Sequence, residues 1–220
     1  MILSSTDYTD PDRTVSHDYG KTEDWRSNSF KTLIIHDPIA PSTCSSMFLG
    51  CTNMEEIINI ENLHTENVTS MYRMFRLCNN LKKLDLRYFD TSKVKSMKWM
   101  FLNCYALTKL DFTSFDTSNV TDMNGMFYSC NMQVLDLSTL NTQSVNDMYN
   151  MFHHCIYLKT IYVSNTFTID SVTTSDNMFR ECWALVSGAG THFDQNNAND
   201  ATYAHVDGGK DNPGYFTLKP

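Results

Sequence analysis

Apolar residues recur along this chain in blocks of 25 to 27 positions, and each block contains two different apolar spacings. In the block that ends at Cys104, Leu84 and Leu86 alternate with polar neighbours, as in a short strand with one buried face. Over 97–104 the apolar residues then stand at positions i, i+3, i+4 and i+7. That stripe is typical of a two-turn amphipathic helix, so each block predicts one strand followed by one helix.

The phrase Met-Phe-x-x-Cys marks each repeat and occurs six times. Its closing cysteines lie 27, 26, 26, 25 and 27 residues apart. They are Cys51, Cys78, Cys104, Cys130, Cys155 and Cys182. A nearly fixed period of this length predicts a solenoid, in which neighbouring copies supply the core that one copy cannot bury alone.

Polar residues at fixed positions predict the boundaries within each unit. The position before the helical stripe always holds a side chain that can accept a hydrogen bond from a first helical turn, which predicts an N-cap. These residues are Ser70, Ser96, Asp122, Asp147 and Thr174. The Leu-x-x-Leu-x-Leu spacing is typical of leucine-rich repeats. We therefore predict the α/β class, as a leucine-rich-repeat solenoid with one short parallel strand and one short helix per repeat, capped at both ends.

The repeats divide the chain into three parts. Residues 1–43 are predicted to form an N-terminal cap or polar leader, with a first strand over 33–35. Residues 44–186 form the predicted solenoid. Residues 187–220 are rich in turn-forming residues and are predicted to form a C-terminal cap or a linker, in which 201–206 and 215–218 pair as a hairpin.

Composition excludes several classes of partner. The formal net charge of −8 argues against sequence-independent binding to nucleic acid, which needs a basic surface. No apolar run is long enough to predict a transmembrane segment. The first residues lack the pattern of a secretion signal, although a processed chain would look the same.

The cysteines are predicted to be reduced. Six of the seven occupy one repeated position, where stacked helices about 8–10 Å apart would hold them beyond disulfide distance. We expect them to be small buried apolar residues. Cys44 lies outside this column and is the one thiol expected to be exposed.

The outward side chains of the strands form the best candidate binding surface. Seven of them are singled out: Lys83, Asp85, Arg87, Lys109, Asp111, Asp136 and Tyr162. Strands in register lie about 4.8 Å apart, so the three aspartates would form a carboxylate column whose repulsion calls for relief. Neighbouring lysine and arginine, a cation or a basic partner could supply it. Alternatively, each aspartate hydrogen-bonds the neighbouring strand or loop.

Other groups of polar residues do not predict a reaction centre. The run 153–155 (His-His-Cys) occupies positions that vary between repeats, so it is not expected to bind metal. The run 194–200 lacks the glycine and glutamate of a calcium loop. No catalytic motif is present. We expect no enzyme activity, no metal and no cofactor.

The repeat over 115–130 (Phe-Asp-Thr-Ser-Asn-Val-Thr-Asp-Met…Met-Phe…Cys) resembles the BspA-like leucine-rich repeats of bacterial surface proteins. The closing segment 201–216 resembles the one that often follows those repeats, so the resemblance covers roughly 44–220. It implies an extracellular protein of host-associated, often anaerobic bacteria, and some members of the family are adhesins. The family offers no catalytic residues to carry over.

The functional expectation is therefore a non-enzymatic, adhesin-like binding protein at the bacterial cell surface. Its partner would be a host extracellular protein or glycan, bound by a monomer through the strand face or the loops. The signal peptide and the anchor are expected to lie outside this chain. The alternative is a structural spacer that displays another module away from the cell wall.

Overall fold

A computed structural model describes the backbone of residues 2 and 3 and all of residues 30–220. The strands are β1 (Ile2–Leu3), β2 (Thr32–Ile35), β3 (Glu56–Ile58), β4 (Val134–Asp136), β5 (Thr160–Val163) and β6 (Thr217–Leu218). The described residues also contain three 3₁₀ turns, at Ile60–Asn62, Ala201–Tyr203 and Gly209–Asp211. Most of the predicted N-terminal cap lies outside the described residues, but the strand predicted over 33–35 is confirmed as β2.

The strands form two separate parallel sheets, in the orders β1-β2-β3 and β4-β5-β6. In the first sheet Leu33 lies opposite Ile57, and in the second Leu135 lies opposite Ile161. β2 and β5 bury alternate residues and β4 buries Leu135, as the period-2 pattern predicted for 134–137 and 160–163. In β3, Ile57 is half-buried and Ile58 is exposed. Between the two sheets, the segments 84–86 and 110–112 are not strands, although the same pattern predicted them.

The predicted α/β class is wrong, because the described residues contain no α-helix in any repeat. The segment predicted as a helix is instead a succession of tight turns. Over 71–78, Met74 N–H donates to Met71 O at 3.1 Å and Cys78 N–H donates to Phe75 O at 3.0 Å. The third residue of each turn has a positive φ, +57° at Arg73 and +64° at Leu77, as a type II turn requires.

These turns leave alternate amide groups free to join neighbouring repeats. Every second residue over 71–77 donates its N–H to a carbonyl of the next repeat, over 96–102, and all four N···O distances are 2.9 Å. The same alternation recurs between the following repeats. Each repeat is thus one coil that is hydrogen-bonded to the coil on either side. The predicted N-cap positions 70, 96, 122, 147 and 174 form a row of parallel bridges between coils and do not begin helices.

The methionine, phenylalanine and cysteine stripe lies in the core, as its repetition predicted. Six phenylalanine rings stack along the coils, with neighbouring centroids 5.3–5.9 Å apart. They are Phe48, Phe75, Phe101, Phe127, Phe152 and Phe179. Separations in this range are those at which aromatic rings attract each other beyond their simple burial.

All seven cysteines are unpaired and buried, which confirms the reduced column. The predicted exposure of Cys44 is wrong, because its side chain is fully buried. The prediction that stacked helices separate the cysteines is also wrong. The coils bond to one another directly, so the spacing between packed helices does not apply. Each column thiol from Cys78 onward is instead directed at a phenylalanine carbonyl oxygen 3.0–3.1 Å away.

The Asp-Thr-Ser segments form the turns that the sequence predicted. Asp90 Oδ1 accepts hydrogen bonds from the backbone N–H and the hydroxyl of Ser92, at 3.0 and 2.7 Å. Thr91, which lies between these two residues in the sequence, is buried. Its hydroxyl donates a hydrogen bond to Asp116 O in the next coil at 2.9 Å. The polar turn therefore also contributes bonds between coils.

The C-terminal segment covers the last coil by parallel pairing, so the predicted hairpin is wrong. Val206 and Phe216 form a parallel bridge, and β6 runs parallel to β5. Phe216 and Tyr215 are buried, with ring centroids 5.8 and 5.1 Å from that of Phe179. They continue the aromatic core beyond the last repeat.

Candidate strand-face cleft

A cleft of about 430 Å³ opens where the row of strands is interrupted. We call it the strand-face cleft; it is lined by Lys82, Lys83, Leu84, Asp85, Leu86, Arg87, Thr108, Lys109 and Asp111. Five of the seven predicted binding residues therefore meet here. The other two, Asp136 and Tyr162, lie opposite each other on β4 and β5 and are not part of the lining.

The backbone on the two sides of the cleft lacks sheet pairing. Within the described part of the chain, no backbone hydrogen bond joins 83–86 to 109–112, or 109–112 to 134–136. The ordered pairing ends at Lys82, whose N–H donates to Glu55 O at 2.9 Å. Hydroxyl groups of Ser114 and Thr139 bind the carbonyl oxygens of Leu86 and Phe112, at 2.9 and 3.0 Å. Backbone donors and acceptors that have no backbone partner among the described residues are therefore present in the middle of the stack.

Asp85 and Arg87 neutralise each other at one side of the cleft. The Arg87 guanidinium donates from Nε to Asp85 Oδ1 at 2.9 Å and from Nη2 to Oδ2 at 2.6 Å. The hydrogen bond from Arg87 holds the pKa of Asp85 below its usual value. The Arg87 backbone N–H also donates to Asp85 Oδ1, at 3.1 Å.

The other two aspartates of the predicted column cap turns in the same way. Asp111 Oδ1 accepts from the N–H of Thr113 at 3.0 Å, and Asp136 Oδ1 accepts from the N–H of Ser138 at 3.2 Å. The Thr113 N–H is the main reason why the pKa of Asp111 is lowered. Burial acts to raise the pKa of Asp136, but hydrogen bonds from Lys219 and Ser138 lower it overall. Each carboxylate therefore accepts hydrogen bonds from its own turn or from a nearby cation. This arrangement is close to the alternative prediction, in which each aspartate hydrogen-bonds the neighbouring strand or loop.

The lysines are the charged groups of the cleft that remain available. Lys82 is held by Glu55, with 2.5 Å between Nζ and Oε2, and hydrogen bonds from Lys82 and Lys31 lower the pKa of Glu55 to about 2. Lys83 and Lys109 are exposed, and neither forms an ion pair within the described residues. The site thus offers two free ammonium groups beside unpaired backbone.

Tyr162 and Asp136 belong to a second, covered part of the strand row. β6 pairs with β5 so that Thr217 lies opposite Tyr162, and Lys219 Nζ binds Asp136. The sequence pattern did not predict this contact, because Lys219 lies outside the repeats. It also missed Lys82 and Thr108 as lining residues, although both flank predicted outward positions.

The described residues give no metal centre and no membrane-spanning helix. No three of their histidine, cysteine, aspartate and glutamate side chains come together as a possible metal site. No helix among them is long and apolar enough to cross a bilayer. His154 Nδ1 lies 2.5 Å from Glu181 Oε2 in the next coil, so it takes part in an ordinary surface pair.

The family described as "Mycoplasma protein of unknown function, DUF285" matches the chain over residues 42–164 and again over 107–210. The two matches overlap and together cover most of the coils and part of the C-terminal segment. No curated protein and no solved structure matches the chain. Because the first match alone covers more than half of the 220 residues, the chain belongs to the DUF285 family.

Proposed function

We propose that this chain is a non-enzymatic, adhesin-like binding protein that acts at a bacterial cell surface and engages a host extracellular protein or glycan. The observation that carries the proposal is the strand-face cleft, where unpaired backbone lies beside two free lysines. The resemblance of 115–130 and 201–216 to BspA-like surface proteins supports the location and the class. The chain acts as a monomer in this proposal.

The chemistry of the cleft favours an extended acidic segment of a protein as the ligand. Backbone donors and acceptors that have no partner can pair with an added strand, as in recognition by strand addition. Lys83 and Lys109 would then meet carboxylate side chains of the ligand. The carboxylates of the cleft would contribute little, because Asp85 and Asp111 are already occupied by Arg87 and Thr113.

The same geometry supports a role without catalysis. General acid–base catalysis needs a group whose pKa lies near the working pH. The pKa values of Asp85 and Asp111 are both lowered, so both stay ionised at neutral pH and are engaged in turns. The cleft is therefore suited to binding.

A surface binding assay with purified matrix and plasma proteins tests the proposal. We expect saturable binding of at least one of them, and the double variant Lys83→Glu with Lys109→Glu should weaken it by tenfold or more. Lys95→Glu with Lys210→Glu is the matched control, because it makes the same change in net charge at exposed positions outside the cleft.

Two outcomes would contradict this function. Equal binding by the cleft variant and the control would show that the ligand does not bind at the strand-face cleft. Absence of binding to every protein of the panel would favour a structural spacer instead. Aspartate-to-alanine variants are poor probes, since they would also remove the turn caps at Asp85, Asp111 and Asp136.

A further inference from the structure

A tryptophan surrounded by cations lies on the turn segments 71–78 and 97–104, apart from the strand-face cleft. The guanidinium carbon of Arg73 is 4.6 Å from the ring centroids of both Tyr72 and Trp99. Arg76 and Lys98 lie 5.4 and 5.0 Å from the centroid of Trp99. We call Arg73, Arg76, Lys98 and Trp99 the cationic cluster. Three positively charged groups thus lie within 5.4 Å of the centroid of one indole ring.

The cluster lacks a counter-charge of its own. None of its three cations forms an ion pair within 4.0 Å in the described part of the chain. Burial raises the pKa of the nearby Asp122 carboxyl, and the charge of Lys98 offsets this only in part, so the net change is upward. The pKa of Arg76 is lowered by burial and then by the charge of Arg73. Such a concentration of positive charge is unusual in a chain with a formal net charge of −8.

Two hydrogen-bond donors in the cluster are also unused. The Nε atoms of Arg73 and Arg76 are buried and have no hydrogen-bond partner. A buried donor without an acceptor is unfavourable, and native structures usually supply the acceptor from protein, water or ligand. Two guanidinium groups with free donors therefore call for an acceptor-rich anion.

We propose that the cationic cluster binds one tetrahedral oxyanion, a sulfate or phosphate group that is either free or carried as an ester on a glycan. Guanidinium groups match the oxygen geometry of such anions and can donate two parallel hydrogen bonds. Lys98 adds a third positive charge. A long polyanion is disfavoured, because the acidic remainder of the chain would repel it. This binding is separate from the strand-face function and does not depend on it.

Gly125 in the next coil makes room for the cluster. A Cβ atom at this position would lie 2.4 Å from Trp99 Cδ1 and 2.8 Å from Nε1. Gly125 also has a φ of +56°, which a side chain would strain. The substitution Gly125→Ala would therefore displace the indole on which the three cations pack, without changing any charge.

Calorimetric titration at low ionic strength tests the site, with inorganic sulfate, inorganic phosphate and a sulfated disaccharide as separate probes. We expect binding of at least one probe, weakened tenfold or more by Arg76→Gln and by Arg73→Asn. Asparagine is chosen because it tolerates the positive φ at position 73. Gly125→Ala should weaken the same probe, while Lys83→Gln with Lys109→Gln should leave its affinity within twofold.

The three probes also distinguish the sources of the anion. Similar affinity for inorganic anion and disaccharide identifies a site for the free anion, and a clear preference for the disaccharide identifies a glycan ester. Failure of all three to bind would overturn the proposal. So would equal loss of affinity in the Lys83 and Lys109 control, since binding would then reflect net charge. Loss of protein-ligand binding at the cleft has no bearing on this result.

Discussion

The thiol of Cys104 donates a hydrogen bond to the carbonyl oxygen of Phe75 in the preceding coil, with 3.1 Å between Sγ and O. The same contact recurs at Cys130 with Phe101 and at Cys155 with Phe127. Each of these carbonyl oxygens also accepts a backbone N–H of its own coil, so the thiol adds a second hydrogen bond that comes from the neighbouring coil. The cysteine column is a set of contacts between coils as well as a column of small apolar side chains.

Thiol reactivity should follow from this burial. In the folded protein we expect none of the seven cysteines to react with an aromatic disulfide reagent within minutes, because only an exposed thiolate attacks. All seven should react at once in denaturant. The absorbance of the released thiolate measures both. Rapid reaction of Cys44 or of any column thiol in the native protein would contradict the buried placement.

Stability should decrease at alkaline pH for the same reason. Burial raises the pKa of the Cys155 thiol from 9.0 to about 12. Between these values the unfolded chain has released the proton and the folded chain has kept it, so the free energy of unfolding falls as pH rises. The contribution is complete below pH 9.0. Urea unfolding between pH about 8 and about 10 should show this fall.

The variant Cys155→Ala isolates the contribution of this thiol from that of the other groups in the protein. Its free energy of unfolding should fall less steeply with pH than that of the unchanged protein. Parallel curves for the two proteins would show that Cys155 is not held in its protonated form.

Loss of one ring from the phenylalanine stack should be costly. Phe127 is fully buried, and its centroid lies 5.9 and 5.8 Å from those of Phe101 and Phe152. We expect Phe127→Ala to lower the free energy of unfolding by about 3–5 kcal/mol, because it leaves a cavity between two coils. Tyr105→Ala is the control, since Tyr105 is 40% exposed, and should change it by less than about 0.5 kcal/mol. Similar values for the two variants would argue against the stack.

Asp207 should stabilise the C-terminal segment. Its carboxylate accepts hydrogen bonds from Ser187 Oγ, Thr191 Oγ1 at 2.8 Å and Gly209 N at 2.9 Å. Burial acts to raise the pKa of Asp207, but these hydrogen bonds lower it well below 3.8 overall. Asp207→Asn should reduce the free energy of unfolding by about 2 kcal/mol at neutral pH.

The pH dependence gives an independent check on Asp207. A carboxyl with a lowered pKa in the folded state stabilises above its unfolded value of 3.8, and this contribution is lost as pH falls below it. The difference between the original protein and Asp207→Asn should therefore shrink in acid. Asp211→Asn, at an exposed position two residues past Gly209, should have little effect at any pH. A difference that persists unchanged in acid would contradict the role of the carboxylate.

The sequence predicted the repeats and the core but not the conformation of the turns. The stripe at i, i+3, i+4 and i+7 over 97–104 fits a helix, yet two type II turns in succession place the same side chains inward. The residue types at the positions with positive φ are what distinguishes the two type II turns from a helix. Gly50, Gly125, Asn103, Asn150 and Asn177 occupy them in several coils, and such residues favour that region. In other coils Arg73, Leu77 and Trp99 occupy these positions, so a preference for glycine or asparagine was not evident along the repeats.

The sequence predicted most of the charged residues of the strand-face cleft, but it did not predict the interrupted sheet or the hydrogen bonds of the aspartates. Five outward residues do line one cleft, because alternation along 83–87 and 109–111 gives their direction. The interruption of the sheet has no counterpart in the pattern, since the Leu-x-Leu spacing at 84–86 is the same as at 135–137. The turn caps at Asp85 and Asp111 depend on backbone geometry two residues ahead, which side-chain spacing does not report.

The hydrogen bond of the Phe75 amide tests the stacked coil most directly. Scalar coupling across a hydrogen bond, measured by NMR, identifies the carbonyl that accepts from a given N–H. We predict a coupling between the nitrogen of Phe75 and the carbonyl carbon of Met100, across the 2.9 Å bond between neighbouring coils. A coupling from Phe75 to the carbonyl carbon of Met71, four residues earlier, would mean a helix and would contradict the account.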